Sequence, residues 1–265
     1  MDTQKILADF ASQLLSGTIQ VVDLSAPLGP DTPLLKLPPD FAVDTPKIEI
    51  HTISEYDKNG PFWAWNWLKI GEHSGTHFDA PHHWITGKEF ADGYTDTIDV
   101  KNYVAPVNVI DCSAESEADN DFLLTADGVK AWEAKHGPIP NGAILLLNTG
   151  SGKLWPDRKA YMGTDQRGPE AVALLHFPGL HPEAARWLVS ERRINAVGLD
   201  TPSIDYGQST LFETHRILFE KNVPAFENVA NLDQLPATGA SVIALPMKIR
   251  GGSGGPLRIV AVIPR

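Results

Sequence analysis

Short runs of apolar and β-branched residues recur along the chain, each near a turn signal. Runs of this length favour strands. Two longer segments have helical periodicity instead: residues 125–136, with Val129 and Trp132 inward, and residues 182–190, which open with proline at a plausible first helical position. The pattern predicts an α/β or α+β fold with strands at residues 19–22, 107–110, 143–147, 194–199, 242–245 and 259–263.

The first part of the chain combines a helical stretch with a proline-rich one. Apolar residues recur at roughly helical spacing, which predicts a surface helix; they are Ile6, Leu7, Phe10, Leu14 and Leu15. Residues 26–46 hold six prolines, a density that excludes helix interiors and central strands. We expect a single domain over residues 1–265, in which residues 1–46 form the helix and an ordered arm that serves as a lid or a subunit contact.

Composition narrows the class of protein. A formal charge of -11 opposes binding to nucleic acid or anionic lipid, because both repel a negative surface. The apolar runs fall short of the roughly 18 residues needed to cross a bilayer, and the first residues lack the basic region of a signal peptide. Cys112 is the single cysteine, so an intrachain disulfide and a thiolate metal cluster are excluded. We expect a cytoplasmic protein in which Cys112 packs in the core rather than acting as a nucleophile.

One segment concentrates metal-binding side chains. His73, His77, Asp79 and His83 share one parity, so an extended chain would project them from one face. His73 and His77 would then lie ~13 Å apart, too far for chelation unless the chain bends, and Gly75 between them permits the bend. A loop whose histidines bond only to the backbone would explain one histidine, but three with an aspartate favour a metal site.

Proline and parity refine this segment. Pro81 ends any regular strand and should turn His83 back beside the metal. His82 has the opposite parity and is expected to face solvent.

A second pair of polar residues follows an apolar helical stripe. His215 lies on the same stripe as apolar neighbours, so it should point inward; the stripe is Leu211, Phe212, His215, Leu218 and Phe219. Asn222 can end this helix, and the next residues return as extended chain that carries Glu227. A buried histidine and glutamate each need a partner; the alternative to a site role is that they satisfy each other.

The segment at residues 73–83, HSGTHFDAPHH, resembles the His-x-Gly-Thr-His-x-Asp-x-Pro-x-His signature of the cyclase-like metal hydrolases, a family that includes kynurenine formamidases and isatin hydrolases. The segment at residues 197–205, the His215 and Glu227 pair and the glycine-rich segment at residues 245–255 are also similar to that family. The resemblance implies a swivelling β/β/α fold, with a mixed sheet or barrel-like core and peripheral helices, usually assembled as a homodimer or larger oligomer.

Histidine and carboxylate ligands with open coordination positions can activate water for amide hydrolysis. We therefore predict His73, His77 and Asp79 as the metal ligands. His83 would move a proton from water to the leaving nitrogen, aided by His215, and Glu227 would orient one imidazole or both. The resemblance to isatin hydrolases favours one Mn²⁺ per subunit, with Zn²⁺ as the alternative. In the formamidase branch, the resemblance implies a second ion held by the equivalents of Asp79, His83, His215 and Glu227.

Aromatic residues precede the metal motif, as they do in isatin hydrolases. Trp63 and Trp65 share one face of an extended chain, and indole rings stack on flat substrates. With Phe62 and Trp84 they are predicted to bind a small aromatic amide, although packing against the core or a neighbouring subunit is an open alternative for each.

Three hypotheses follow. The first is an isatin hydrolase, which opens the lactam of an indole-2,3-dione. The second is a kynurenine formamidase, which releases formate. The third is a catalytically silent binding protein. The presence of all six site residues argues against it, because a silent protein does not need groups that transfer protons; they are His73, His77, Asp79, His83, His215 and Glu227.

Overall fold

The computed structural model describes residues 2–35, 45–84 and 86–265, apart from the side chain of Pro169. Within these ranges the six α-helices are α1 Thr3–Ser16, α2 Ser113–Ala118, α3 Ala126–His136, α4 Arg158–Met162, α5 Pro182–Glu191 and α6 Glu213–Phe219. The twelve strands are β1 Ile19–Asp23, β2 Glu49–Ser54, β3 Trp65–Lys69, β4 His77–Asp79, β5 Val104–Asp111, β6 Leu123–Leu124, β7 Ile144–Asn148, β8 Gly179–Leu180, β9 Ala196–Leu199, β10 Ala225–Glu227, β11 Ala240–Pro246 and β12 Gly254–Pro264.

Seven strands close into a barrel-like ring. Their order is β12, β11, β5, β7, β9, β10 and β4, and β4 pairs back onto β12. The pairs from β5 to β10 are parallel, and the others are antiparallel. Strand β1 pairs with β12 on the edge opposite β11, beyond the residues that pair with β4. This mixed sheet with peripheral helices confirms the predicted fold class, and all six predicted strands are present.

The burial of strand β7 shows why continuous apolar runs predicted strands. Every residue of β7 is buried. Ile144 and Leu146 face the cluster inside the ring, whereas Leu145 and Leu147 face a second cluster against α3 and α5. Parallel strands covered on both faces have such continuous apolar runs.

The helices predicted at residues 125–136 and 182–190 are also present. Thr125 caps α3 by accepting a hydrogen bond from the Gly128 amide, and α5 begins at Pro182 as predicted. Helix α6 is shorter than its predicted stripe, because it begins at Glu213 and leaves Leu211 exposed. Among the described helices, none combines the length and apolar character that crossing a membrane requires.

Two surface elements stand apart from the ring. Helix α1 buries none of its residues. Strands β2 and β3 pair with each other to form a hairpin, hereafter the aromatic hairpin, residues 49–69. The predicted proline-rich arm is described on both sides of residues 36–44, which lie outside the described residues.

Candidate metal centre

Strand β4 forms the floor of the site and is paired along both edges. His77 lies opposite Glu227 of β10, and Asp79 lies opposite Gly254 of β12. His77 and Asp79 are two residues apart in a strand, so they project from the same face. The site therefore draws its position from three strands of the ring. The side chains of His77, Asp79 and Glu227 are buried, with residue exposures of 5% or less.

His73 reaches the same face through the bend predicted at Gly75. Gly75 has a φ of 63°, and a Cβ there would lie 2.5 Å from Cδ2 of Leu28, so only glycine fits without displacement. As a result, Nδ1 of His73 lies 2.6 Å from Oδ1 of Asp79. Nε2 of His77 lies 3.1 Å from the same oxygen.

The donors divide into two compact sets that share Asp79. One set is His73, Asp79 and His83; the other is His77, Asp79 and Glu227. The three predicted ligands thus meet at one carboxylate, but His73 and His77 fall into different sets. The single-ion assignment stays a prediction, as does the alternative of a second ion held by Asp79, His83, His215 and Glu227.

His83 lies beside His73 because the chain turns at Pro81, as the sequence predicted. A short 3-10 turn over Pro81–His83 ends β4 and folds the chain back. The imidazole of His83 then stacks on that of His73, with ring centroids 3.9 Å apart. His82, which was expected to face solvent, is half-buried and packs on Tyr94.

His215 enters from α6 and is held by an aspartate whose role the sequence did not reveal. Its Nδ1 lies 2.6 Å from Oδ2 of Asp205, and its Nε2 lies 3.1 Å from Oε1 of Glu227. Glu227 also approaches Nε2 of His77, at 3.3 Å, so it contacts both imidazoles. Asp205 is the last residue of the segment at residues 197–205 that resembles the family, and this resemblance was the one feature of the sequence that could have identified it as a site residue. Its carboxylate also accepts the backbone amides of Thr214 and His215.

The backbone just before α6 is unusual. Phe212 has a φ of 48°, a conformation that costs a bulky residue free energy. Its ring stacks on Trp84 with centroids 4.6 Å apart, so this conformation places an aromatic wall beside His215.

Charge and burial set opposite pKa shifts for the histidines. Burial alone would lower the pKa of His77, but the charge of Asp79 and hydrogen bonds to Asp79 and Glu227 raise it to about 10. Burial is likewise outweighed at His215, mainly by its hydrogen bond to Asp205, so its pKa lies well above the usual range. Burial lowers the pKa of His83 well below its usual range, which keeps this imidazole neutral at pH 7.

This donor set fits a divalent ion. Two buried carboxylates converge on imidazoles, and buried anions need a cationic partner. The contacts of 2.6 to 3.3 Å between donor atoms approach the separation of about 3 Å that ligands have around one ion with bonds near 2.1 Å. The hydrogen bond from Nδ1 of His77 to the Gly75 carbonyl, 2.8 Å, leaves Nε2 of His77 as the ligand atom.

The cavity over these donors has a volume of about 340 Å³ and an apolar rim. Trp84 lines it together with Phe212 and the arm residues Leu34 and Leu35.

The other predicted aromatic contacts lie elsewhere. Phe62, Trp63 and Trp65 belong to the aromatic hairpin, do not line the cavity, and expose 78%, 55% and 55% of their surface. Within the described residues of one chain, Trp84 is the member of the predicted aromatic set that lines the cavity, and strands β2 and β3 pair with each other rather than with the ring.

Comparison with known proteins gives consistent results. A family model described as "Putative cyclase" matches residues 22–206. An isatin hydrolase from Roseibium aggregatum is 50% identical, with all of both chains covered. A kynurenine formamidase from Bacillus cereus is 28% identical, covering 92% of this chain and 97% of the relative. The crystal structure of an isatin hydrolase bound to the product analogue thioisatinate superposes with a TM-score of 0.94 at 50% identity, over the full length of both chains.

Proposed function

This chain belongs to the cyclase family, and from that membership and the pocket described above we propose that it is a metal-dependent hydrolase that opens the lactam ring of isatin to isatinate. The observation that carries the proposal is the 50% identity with an isatin hydrolase along the whole chain. The formamidase relative is far more distant, at 28% identity. The arrangement of buried donors under an apolar rim supports the same conclusion.

We propose His73, His77 and Asp79 as ligands of one Mn²⁺ per subunit, with Zn²⁺ as the alternative. A divalent ion held there would lower the pKa of a bound water toward about 7 and polarise a carbonyl oxygen. Asp79 is central to this proposal, since it belongs to both donor sets.

The chain's own residues would then move the proton. His83 is neutral at pH 7, so its imidazole can accept a proton from the attacking water. The water oxygen bonds to the amide carbon, the bond from that carbon to the ring nitrogen breaks, and the proton from His83 completes the arylamine. His215 supports this transfer, and Glu227 orients the imidazoles of His77 and His215 through its two oxygens.

Substrate shape fits the upper part of the cavity. Trp84 and Phe212 form a stacked aromatic wall, and flat bicyclic rings pack well on such a surface. The adjacent ketone and amide oxygens of an indole-2,3-dione can both face the donor cluster at the base of the cavity.

We further propose that Phe62, Trp63 and Trp65 serve the cavity of a second copy of this chain in a homodimer. The aromatic hairpin leaves the cavity rim between two lining residues, Pro46 and Gly71. Its strands extend about 20 Å at ~3.3 Å per residue, so its tip lies away from its own site. In a twofold dimer each hairpin can cover the partner's cavity, which buries both apolar surfaces. The single buried cysteine fits the cytoplasm, which we propose as the location.

Side-by-side turnover of isatin and N-formylkynurenine by the Mn²⁺-loaded protein tests the function. We expect a higher kcat/KM for isatin, followed by loss of its ring absorbance, with no small fragment released. A preference for N-formylkynurenine with formate appearing would replace this proposal with the formamidase. Tight binding of isatin without turnover of either compound would instead support a silent binding protein.

A further inference from the structure

The glycine-rich segment before and into β12 lies against the outer edge of His73. A Cβ on Gly254 would lie 2.4 Å from Cε1 of His73, so glycine is what allows this approach. The approach brings Oγ of Ser253 to 3.0 Å from Nε2 of His73. The function proposed above assigns no role to this segment.

Ser253 is in turn bound to an acidic residue. Its hydroxyl lies 2.7 Å from Oε2 of Glu72, and its backbone amide lies 3.1 Å from the same oxygen. A carboxylate only accepts, so the Ser253 hydroxyl donates to Glu72. Its oxygen can then accept only from Nε2–H of His73. The hydrogen bonds therefore run in one direction: His73 donates to Ser253, and Ser253 donates to Glu72.

The segment is fixed in place by the ring. The Ala80 amide donates to the Ser253 carbonyl at 2.9 Å, directly after β4. The buried hydroxyl of Thr95 reaches the carbonyls of Gly252 and Gly254, at 3.0 and 3.1 Å. Ser253 is thus positioned by backbone contacts that do not depend on His73.

We infer that Glu72 and Ser253 are positioning residues that fix the tautomer of His73, so that its Nδ1 is the ligand atom toward the metal. This inference rests on the metal site of the proposed function. His77 makes the opposite choice, since its Nδ1 donates to the Gly75 carbonyl and its Nε2 faces the donors. The two histidines of one motif thus present different nitrogens. A hydrogen-bonded outer partner of this kind raises the basicity of a ligand histidine.

The first experiment measures metal affinity without substrate. The chelator-stripped full chain is titrated with MnCl₂ in wild type, Ser253→Ala and Glu72→Gln, with exposed Ser241→Ala and Glu117→Gln as matched controls. Loss of an outer partner weakens metal binding by roughly 10- to 100-fold, which we expect for Ser253→Ala. Glu72→Gln keeps an acceptor oxygen but removes the charge, so its loss should be smaller. The controls should match wild type.

The second experiment reads the tautomer directly. In the Zn²⁺-loaded protein, ¹⁵N–¹H correlation spectra should assign the proton of His73 to Nε2 and that of His77 to Nδ1. Coordination of His73 through Nε2, or unchanged Mn²⁺ affinity in a folded Ser253→Ala variant, would overturn the inference. A lower melting temperature of the metal-free Ser253→Ala variant that accounts for its weaker metal binding would assign Ser253 a purely structural role and would also overturn the inference. Because neither readout uses isatin, failure here is distinct from failure of the proposed function.

Discussion

The hydroxyl of Tyr161 on α4 lies 2.8 Å from the side-chain oxygen of Asn228, the residue that follows Glu227. The side-chain amide of Asn228 donates to the Gly75 carbonyl at 2.8 Å, the same carbonyl that accepts from His77. Tyr161 also approaches the Asp200 carbonyl at 3.0 Å. A buried phenol thus braces the bend that brings His73 and His77 together.

Tyr161→Phe should lower the free energy of unfolding by about 1 to 3 kcal/mol, because the buried oxygens of Asn228 and Asp200 share the single O–H of Tyr161 and would lose it. Chemical denaturation of the metal-free protein measures this change. Exposed Tyr56→Phe is the matched control and should leave stability unaltered. An unchanged denaturation midpoint in Tyr161→Phe would show that the contact is not needed.

Asp79→Ala should abolish both metal binding and turnover, because Asp79 belongs to both donor sets. Elemental analysis of the purified protein and isatin turnover check the two losses together. Asp9→Ala on the exposed helix α1 should change neither. Active wild-type protein that contains no stoichiometric metal would contradict the metal mechanism.

His83→Ala should retain much of the metal yet lose on the order of 10² to 10⁴ in kcat, the usual contribution of a general acid or base. Metal content and kcat are measured on the same sample, and exposed His136→Ala serves as the control. If the substitution removes half of a two-ion complement, His83 is a ligand and the two-ion arrangement applies.

Metal binding should release protons. The pKa of about 10 keeps His77 protonated in the metal-free protein at pH 7, and a ligand nitrogen must lose that proton. Affinity for Mn²⁺ should therefore fall as the pH is lowered from 9 to 6. Calorimetric titration in buffers of different ionisation enthalpy counts the protons released, and a count of zero at pH 7 would contradict the assignment.

Mixing two inactive variants tests the shared aromatic site. Asp79→Ala lacks the metal donor, and Trp63→Ala combined with Trp65→Ala lacks the hairpin aromatics. If the hairpin serves its partner's cavity, a mixed dimer has one intact site, so an equal mixture that exchanges subunits should regain about a quarter of wild-type activity. No recovery, with mixed dimers shown by mass, would mean that the aromatics act within their own chain or not at all.

These residues also show what the sequence could predict. The strands of the ring could be predicted because buried parallel strands carry continuous apolar runs. The grouping of His73, His77 and Asp79 could be predicted because these residues are close in sequence and a glycine bend brings them together. Asp205 was not assigned, since it meets His215 only through the turn before α6. Trp65 and Trp67 lie in β3, as the extended interpretation predicted, whereas Trp63 precedes that strand. Periodicity shows which residues share a face and not what that face contacts. The position of these tryptophans outside the cavity follows from tertiary structure alone.

The pairing of β4 with β10 and β12 has a consequence for how the protein folds. His215 and Asp79 are separated by 136 residues, and His73 and Ser253 by 180, so the local segment from His73 to Asp79 meets His215 and Ser253 only after very long loops have closed. Contacts of this separation slow folding, since the chain loses its entropy before they form. A refolding chain should therefore reach its full metal affinity last, together with closure of the ring, and the final rise in metal affinity would time that step.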